Sequence, residues 1–231
     1  MPSPAFIFDF DSTLVSVESL DELLEVSVRR REKGSAVRTI MGKIHAITDE
    51  GMEGGIDLRT SISRRLALAR PTREDLRALE KRMNETVTKG MDAIIRTIHA
   101  HGGSAFVVSG AIHHLIEPVA HALGIPDDHS FGNEPVFDSD DVLIDVKDRP
   151  LATSRGKTDV IRSLIEAGVI DGPVIMIGDG ASDLHPFLTG VADHFIGVGI
   201  HAVRSRVEMR SPVFVRTVHD LHQAIRSFLP L

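Results

Sequence analysis

The sequence predicts an α/β protein: a parallel sheet with helices on both faces, and an all-helical segment inserted after the first strand. Three observations predict it. Short apolar runs such as "AFIFDF", "SAFVVSG" and "GPVIMIGDG" read as buried strands. Helical stretches of about ten to fifteen residues separate the later runs, as crossover connections between parallel strands require. The stretch 16–86 shows helical spacing and no strand pattern. The expected organisation is a Rossmann-like α/β core, residues 1–15 and 87–231, interrupted by an all-helical cap, residues 16–86.

Each element has its own signal. "AFIFDF" is short, apolar and aromatic-rich, as a buried strand should be. "ESLDELLEVSVRRREKG" places Leu20, Leu23, Leu24 and Val28 at helical spacing and is expected to end near Gly34. "PTREDLRALEKRMNETV" opens on Pro71 and Thr72 and is expected to bury Leu76, Leu79 and Met83 as one helix. In "MDAIIRTIHAHG", Met91, Ile94, Ile95 and Ile98 share a face and a glycine stops the helix. "SAFVVSG" is a strand, and "AIHHLIEPVAHALGIP" a helix that Pro118 should kink or restart. "EPVFDSDDVLIDV" reads as a hairpin around 138–141. "GKTDVIRSLIEAG" is a helix with Val160, Ile161, Leu164 and Ile165 inward. "GPVIMIGDG", "GVADHFIGVG" and "SPVFVRTV" complete the strands, and "DLHQAIRSFL" closes with a helix.

Composition narrows the function classes. At 231 residues the chain can build one good core, or a core with a smaller companion. Its 42% hydrophobic and 26% charged residues are ordinary for a soluble globular protein. Net charge is −7 and no Lys/Arg patch stands out, which argues against a nucleic-acid partner. The run "RRREKG" is short and reads as a solvated helix end. No apolar run is long enough for a membrane span, and the N-terminal run is too short for a signal peptide. With no cysteine, disulfides and thiolate catalysis are excluded, and a reducing cytoplasm is the simplest location. The absence of Trp and Tyr removes the usual aromatic platforms for sugars or bases.

Three expected core strands end in chemically suggestive loops: Asp9-Phe10-Asp11, Ser109-Gly110, and Asp179 within "IGDGASD". Lys157 opens the helix between the second and the last. In open parallel sheets ligands bind beyond the carboxyl ends of the strands, so these loops should converge. Residues two apart on a strand share a face, so Asp9 and Asp11 can aim at one spot. Asp179 and Asp183 add two further carboxylates. Two carboxylates about 4 Å apart repel by roughly 4 kcal/mol at an effective dielectric of 20. Four are tolerable near one point only with a bound cation or with protonation. An oxygen-only donor set suits Mg²⁺; a zinc site would more often offer His or Cys. A hydroxyl, a glycine amide and an ammonium, from Ser109, Gly110 and Lys157, are donors expected around a phosphate, and a helix start adds its positive end. Taken singly, each residue is an ordinary turn, cap or solvated position. Their joint placement at the ends of different strands points to phosphoryl transfer, with one aspartate available as nucleophile.

"DFDST", "VVSG", "GK" and "IGDGASD", in this order, resemble the four motifs of the haloacid dehalogenase superfamily of phosphatases. "DxDST" with a following Glu and a helical insertion resembles, within it, the phosphoserine phosphatases; "RRLALARPTREDL", "VIMIGDGASDL" and "DHFIGVG" extend the likeness over most of the chain. The resemblance implies hydrolysis of O-phospho-L-serine, a small phosphomonoester, with Mg²⁺ as cofactor; a monomer or homodimer is expected. It implies that Asp9 is the nucleophile and that Asp11 is the acid and then the base. Asp9, the backbone carbonyl of Asp11, and Asp179 match the Mg²⁺ ligands, and Asp183 matches the acid that holds the metal's waters or the loop. Ser109 and Gly110 match phosphate donors, and Lys157 the lysine that neutralises phosphate and nucleophile. Glu18 falls where the substrate ammonium is met, Arg65 where the substrate carboxylate is gripped, and Met52 where the pocket is lined. Ser182 stands where Thr is common. The role split agrees with electrostatics: Asp11, joined to the metal only through its backbone, should hold its proton to higher pH than Asp9. The helical insertion should act as a lid.

Ala111 replaces a usual second glycine, with a Cβ expected either to crowd the phosphate loop or to alter substrate orientation, and Glu53 replaces a smaller residue beside Met52. These departures leave open the same chemistry on another small phosphomonoester, such as a phosphorylated amino acid or sugar. A phospho-acceptor signalling domain also combines acids, a hydroxyl and a lysine on a parallel sheet; the helical insertion and the resident acid Asp11 argue against it. A catalytically silent binding module has little support when all the expected acids are present. The twelve histidines lack metal-binding spacing: His113 and His114 face different sides of a helix, as do His99 and His101. They read as surface or core fillers.

Overall fold

The structure, a computed structural model, describes residues 3–52, 55–147 and 149–230. Strand β1 (Ala5–Phe8) is buried along its whole length, with β2 (Ser104–Ile112) paired on one side and β6 (Val174–Gly178) on the other. Beyond β2 lies β3 (Ser130–Asn133); beyond β6 lie β7 (His194–Val198) and β8 (Val213–Val215). The order is β3-β2-β1-β6-β7-β8, and every pairing is parallel. Alternate residues of β1 feed two separate cores. Phe6 and Phe8 pack into the larger apolar cluster, Ala5 and Ile7 into the smaller one across the sheet. A strand apolar on both faces is what a parallel sheet covered on both sides demands.

Helices α5 (Met91–Ala100), α6 (His113–Ala122) and α10 (Val218–Arg226) cover the first face; α7 (Gly156–Glu166) and α8 (Ala181–Leu188) cover the second. The short α9 (Ser205–Glu208) follows β7. All four apolar residues expected on α5 are fully buried. α6 runs through Pro118 as one helix, so it does not restart there; the carbonyl that Pro118 cannot serve belongs to His114, an exposed residue. The expected inward face of α7 fails at one residue. On α7, Ile161 is fully buried and Val160 and Leu164 partly so, but Ile165 is 40% exposed, because the burial of this helix ends at Leu164.

Between β1 and β2 come α1 (Ser19–Arg31), α2 (Ser35–Met52), α3 (Leu58–Ala69) and α4 (Arg73–Glu80). α1 buries Leu20, Leu23, Leu24 and Val28, as its spacing requires. Asp21 and Glu22 sit in its first turn and Arg29, Arg30 and Arg31 in its last, matching the helix dipole. Thr72 and Asp75 form a reciprocal capping box on α4, and Arg30 reaches Asp75 at 2.9 Å. α4 is shorter than expected: it ends at Glu80, and Met83 is buried from a separate single turn, Met83–Thr86. The chain enters and leaves this helical segment side by side. Val15 bridges Val87, Thr88 N–H donates to the Leu14 carbonyl at 2.8 Å, and Ser16 N–H donates to that of Thr86 at 2.9 Å.

The expected hairpin is β4 (Pro135–Phe137) with β5 (Leu143–Val146). Its turn is held by Asp138 Oδ1, which accepts from the backbone N–H groups of Asp140 and Val142, while Asp141 takes the left-handed conformation at φ 58°. The hairpin docks on the helical segment, through a Thr72–Val142 bridge and an Arg59–Asp145 ion pair at 2.9 Å. Nothing local in the sequence marks that docking.

Candidate active site

β1 stops at Phe8, one residue before the first acid. Asp9 is extended and its Oδ1 accepts from Phe10 N–H at 2.7 Å. Asp11 is extended at φ −62°, and the buried Ser12 turns left-handed at φ 52°, a conformation that L side chains seldom adopt. The two acids therefore face the site from one wide turn, and the expected same-face alternation along a strand is not the reason. Asp11 Oδ1 accepts from the backbone N–H of Ser19, the first residue of α1, at 2.9 Å. Ser12 Oγ donates to Glu18 Oε1 at 2.9 Å, so this one turn organises both the first strand end and the entry to α1.

Lys157, the second residue of α7, is buried with its Nζ 2.6 Å from Asp9 Oδ1 and 2.5 Å from Asp183 Oδ1. The other Asp183 oxygen accepts from Gly180 N–H at 2.9 Å and caps α8. Gly178 is required beneath it: a Cβ there would lie 2.3 Å from the Asp183 carboxyl carbon. One oxygen each from Asp9, Asp179 and Asp183 lie within 4.8 Å of one another, all three residues being buried. Among the described residues this is the acid cluster close enough to share one cation.

The buried charges shift one another. Burial, then Glu18, then Asp9 hold the Asp11 carboxyl well above the usual carboxylate range. Asp179 is likewise pushed well up, by burial, then Asp9, Glu18 and Asp183, with Arg204 opposing. Burial and Asp9 push Asp183 up to about 7, against the pull of Lys157. Burial disfavours the Lys157 ammonium, but Asp183 and Asp9 outweigh it and keep the group charged. One atom is left over. Asp179 Oδ1 is buried without a hydrogen-bond partner. An orphaned carboxylate oxygen, within a close all-oxygen cluster, fits a hard divalent cation such as Mg²⁺.

Above the cluster lies a cavity of about 290 Å³. Asp9, Asp11, Lys157, Ser109 and Gly110 line it from the core, and Ser182 lines it from the start of α8. Glu18, Met52 and Arg65 line it from the helical segment. Asp179 and Asp183 lie beneath, with no exposed surface. Arg65 does not project freely: its Nη1 donates to Asp21 Oδ1 at 2.9 Å and Thr48 Oγ1 at 3.1 Å, and its Nε to the Ser61 carbonyl at 3.3 Å. Ala111 lines the cavity too, yet it is 5% exposed and packs within the larger core cluster. Glu53 lies outside the described residues.

Arg204 was not anticipated. It sits beyond the carboxyl end of β7 and is held by acids from three directions: Asp179 at 3.2 Å, Glu18 at 3.3 Å and Asp49 of α2 at 3.8 Å. The available signal was its place, a basic residue in the loop after a core strand. His185 was read with the other histidines as a filler; it lines the cavity and its Nδ1 is hydrogen-bonded to Thr158 Oγ1 at 2.7 Å.

Comparison with known proteins places this geometry in context. The sequence model of the haloacid dehalogenase-like hydrolases matches residues 6–187. Phosphoserine phosphatase of Drosophila melanogaster is 32% identical over 93% of this chain and 75% of that protein. The Homo sapiens phosphoserine phosphatase is 29% identical over 94% and 91%. Among solved structures, a phosphoserine phosphohydrolase-like protein from Francisella tularensis superposes with a TM-score of 0.85 at 31% identity, covering 97% of this chain and all of that one.

Proposed function

The chain belongs to the haloacid dehalogenase-like hydrolase family, and from that membership we propose that it hydrolyses O-phospho-L-serine to serine and phosphate. One observation carries the reading: a single cavity is lined by Asp9, Lys157 and Ser109 from the core and by Glu18 and Arg65 from the helical segment. The first group suits a phosphate, the second an amino acid's ammonium and carboxylate.

Asp9 attacks phosphorus and forms an aspartyl phosphate, while the serine oxygen leaves with the proton of Asp11. Asp11, now a carboxylate, takes a proton from water, whose oxygen attacks the phosphorus bound to Asp9 and releases phosphate. The raised pKa of Asp11 suits the first half of this exchange, because the group is protonated closer to neutrality. Lys157 keeps its charge and offsets that of Asp9 and of the transferring group. Asp9, Asp179 and the backbone carbonyl of Asp11 would hold Mg²⁺, with Asp183 fixing Lys157 and the Gly180 turn. When bound, the ion supplies electrostatic stabilisation to the phosphoryl oxygens. Residues 16–86 serve as the cap that presents Glu18, Met52 and Arg65, and Ser182 contributes from the core.

The deciding experiment is turnover of a phosphomonoester panel with and without Mg²⁺. Phosphoserine is expected to lead the panel, and activity is expected to vanish in chelator. A second reading keeps the chemistry and changes the ester. It is favoured by the engagement of both recognition groups by internal partners, Glu18 by Arg204 and Arg65 by Asp21 and Thr48. A sugar phosphate outranking phosphoserine in that panel would establish it.

A further inference from the structure

Asn133 ends β3 and has no exposed surface, and neither its motif context nor the chemistry above gives it a task. Its Nδ2 donates twice, to the Gly110 carbonyl at 2.8 Å and to the Leu151 carbonyl at 3.0 Å. Gly110 follows Ser109, and both line the cavity. Leu151 lies in the short turn Pro150–Ala152 that leads into α7 and so to Lys157. One side-chain amide thus ties the loop that carries the hydroxyl to the segment that delivers the ammonium. Both amide hydrogens are used, and Oδ1 is left buried without a partner. The reverse orientation would set an oxygen against two carbonyl oxygens.

The Gly110 carbonyl and the Ala111 N–H belong to one trans peptide and point in opposite directions. Anchoring the carbonyl on Asn133 turns the N–H the other way, where it donates to Ser109 Oγ at 3.2 Å. Because Oγ accepts that bond, the Ser109 hydroxyl proton remains available to the cavity. Resting on the reading of Ser109 and Lys157 as phosphate donors, we infer that Asn133 is a positioning residue for phosphate. It fixes the Gly110–Ala111 peptide, and through it aims the Ser109 hydroxyl. The proposal extends the donor set from the residues that touch phosphate to the one that orients them, and it predicts that Asn133 and Ser109 act as a unit.

A double-mutant cycle of Asn133→Ala and Ser109→Ala tests this, read by kcat/KM on phosphoserine and by calorimetric affinity for inorganic phosphate. Asn133→Ala is expected to lower kcat/KM by about 30-fold and phosphate affinity by about 10-fold, of the order seen when a preorganised donor is lost. In the Ser109→Ala background the same change should cost less than about threefold. Losses that multiply, or a phosphate affinity left untouched by Asn133→Ala, would overturn the proposal. Leu221→Ala, buried on α10 and outside the cavity, is the control for general destabilisation and should leave phosphate affinity unchanged. If Asn133→Ala does not fold, Asn133→Ser takes its place in the cycle under the same criterion. The phosphate arm needs no turnover, so it judges Asn133 even if wild-type protein fails to hydrolyse phosphoserine, a result that would count against the substrate reading alone.

Discussion

Arg204 Nε lies 3.2 Å from Asp179 Oδ2, so a cation of the chain already holds one acid of the buried cluster. Any metal that Asp179 coordinates competes with that guanidinium. Arg204→Gln is expected to lower the Mg²⁺ concentration for half-maximal activity by about threefold to tenfold, as removal of a nearby like charge should. A Mg²⁺ titration of activity reads it; a higher requirement would instead make Arg204 a support of the ion site.

Asp9→Asn removes the proposed nucleophile and one charge from the cluster. Turnover should fall by at least about 10³-fold. The fold should persist, because Lys157 keeps Asp183 and the repulsion on Asp179 is relieved. Melting in chelator should be unchanged or higher. Near-normal phosphate release by the variant would remove Asp9 from its role.

Metal-free stability should depend on pH with a definite sign. Burial first, then neighbouring acids, raise Asp179 and Asp183 above their unfolded values. The folded state then binds more protons, so the stabilising contribution is full below the unfolded value of about 4. It is lost as pH rises through the folded value, which for Asp183 is about 7. In chelator the melting temperature should fall from about pH 5 to pH 8, and Mg²⁺ should restore it at the upper end. Melts with no Mg²⁺ response at the upper pH would contradict a cation in this cluster.

Arg65 and Asp21 form an ion pair with side-chain exposures of 8% and 9%. Arg65→Ala leaves a buried carboxylate held by Thr48 alone and should cost about 3 kcal/mol of stability. It should raise KM for phosphoserine by at least about tenfold, with a smaller effect on an ester lacking a carboxylate. Equal effects on the two esters would end the carboxylate-clamp assignment.

At Gly110 a Cβ would meet Leu58 Cδ2 of α3 at 3.0 Å. Gly110→Ala should therefore hinder the approach of the helical segment and lower kcat/KM by about fivefold to twentyfold, the scale of a small positioning error. Leu58→Ala in the same chain should recover most of the loss. No recovery would show that the added methyl acts on the phosphate side.

What the sequence disclosed was whatever local chemistry dictates. Continuous apolar runs such as "VIMIG" announce strands covered on both faces, and the strand-end rule alone brings Asp9, Ser109 and Asp179 to one rim. Helix lengths were less legible. Met83 keeps the helical spacing of α4 yet belongs to a separate turn, because apolar periodicity cannot tell one helix from two short pieces that bury the same side. The Asp9–Asp11 pairing does not come from strand alternation, since β1 ends at Phe8 and a turn begins at Phe10, and no pattern in the sequence signals that. Arg204 and Asn133 were missed for another reason. Their partners lie elsewhere in the chain: the place of Arg204 after a core strand hints at the site but not at the acids it meets, and an asparagine at a strand end does not announce which carbonyls it will hold.

The seam at Val15 and Val87 leaves the two ends of the helical segment one inter-strand spacing apart, about 5 Å. The length of what is spliced in there is thus not constrained by the sheet, since both ends leave and return at one point. Such a junction lets the length of the insert vary, but not its first turn: a foreign helical module with adjacent ends grafted at these two valines would have to bring its own partners for Asp11 and Arg204, as Ser19 and Glu18 do here.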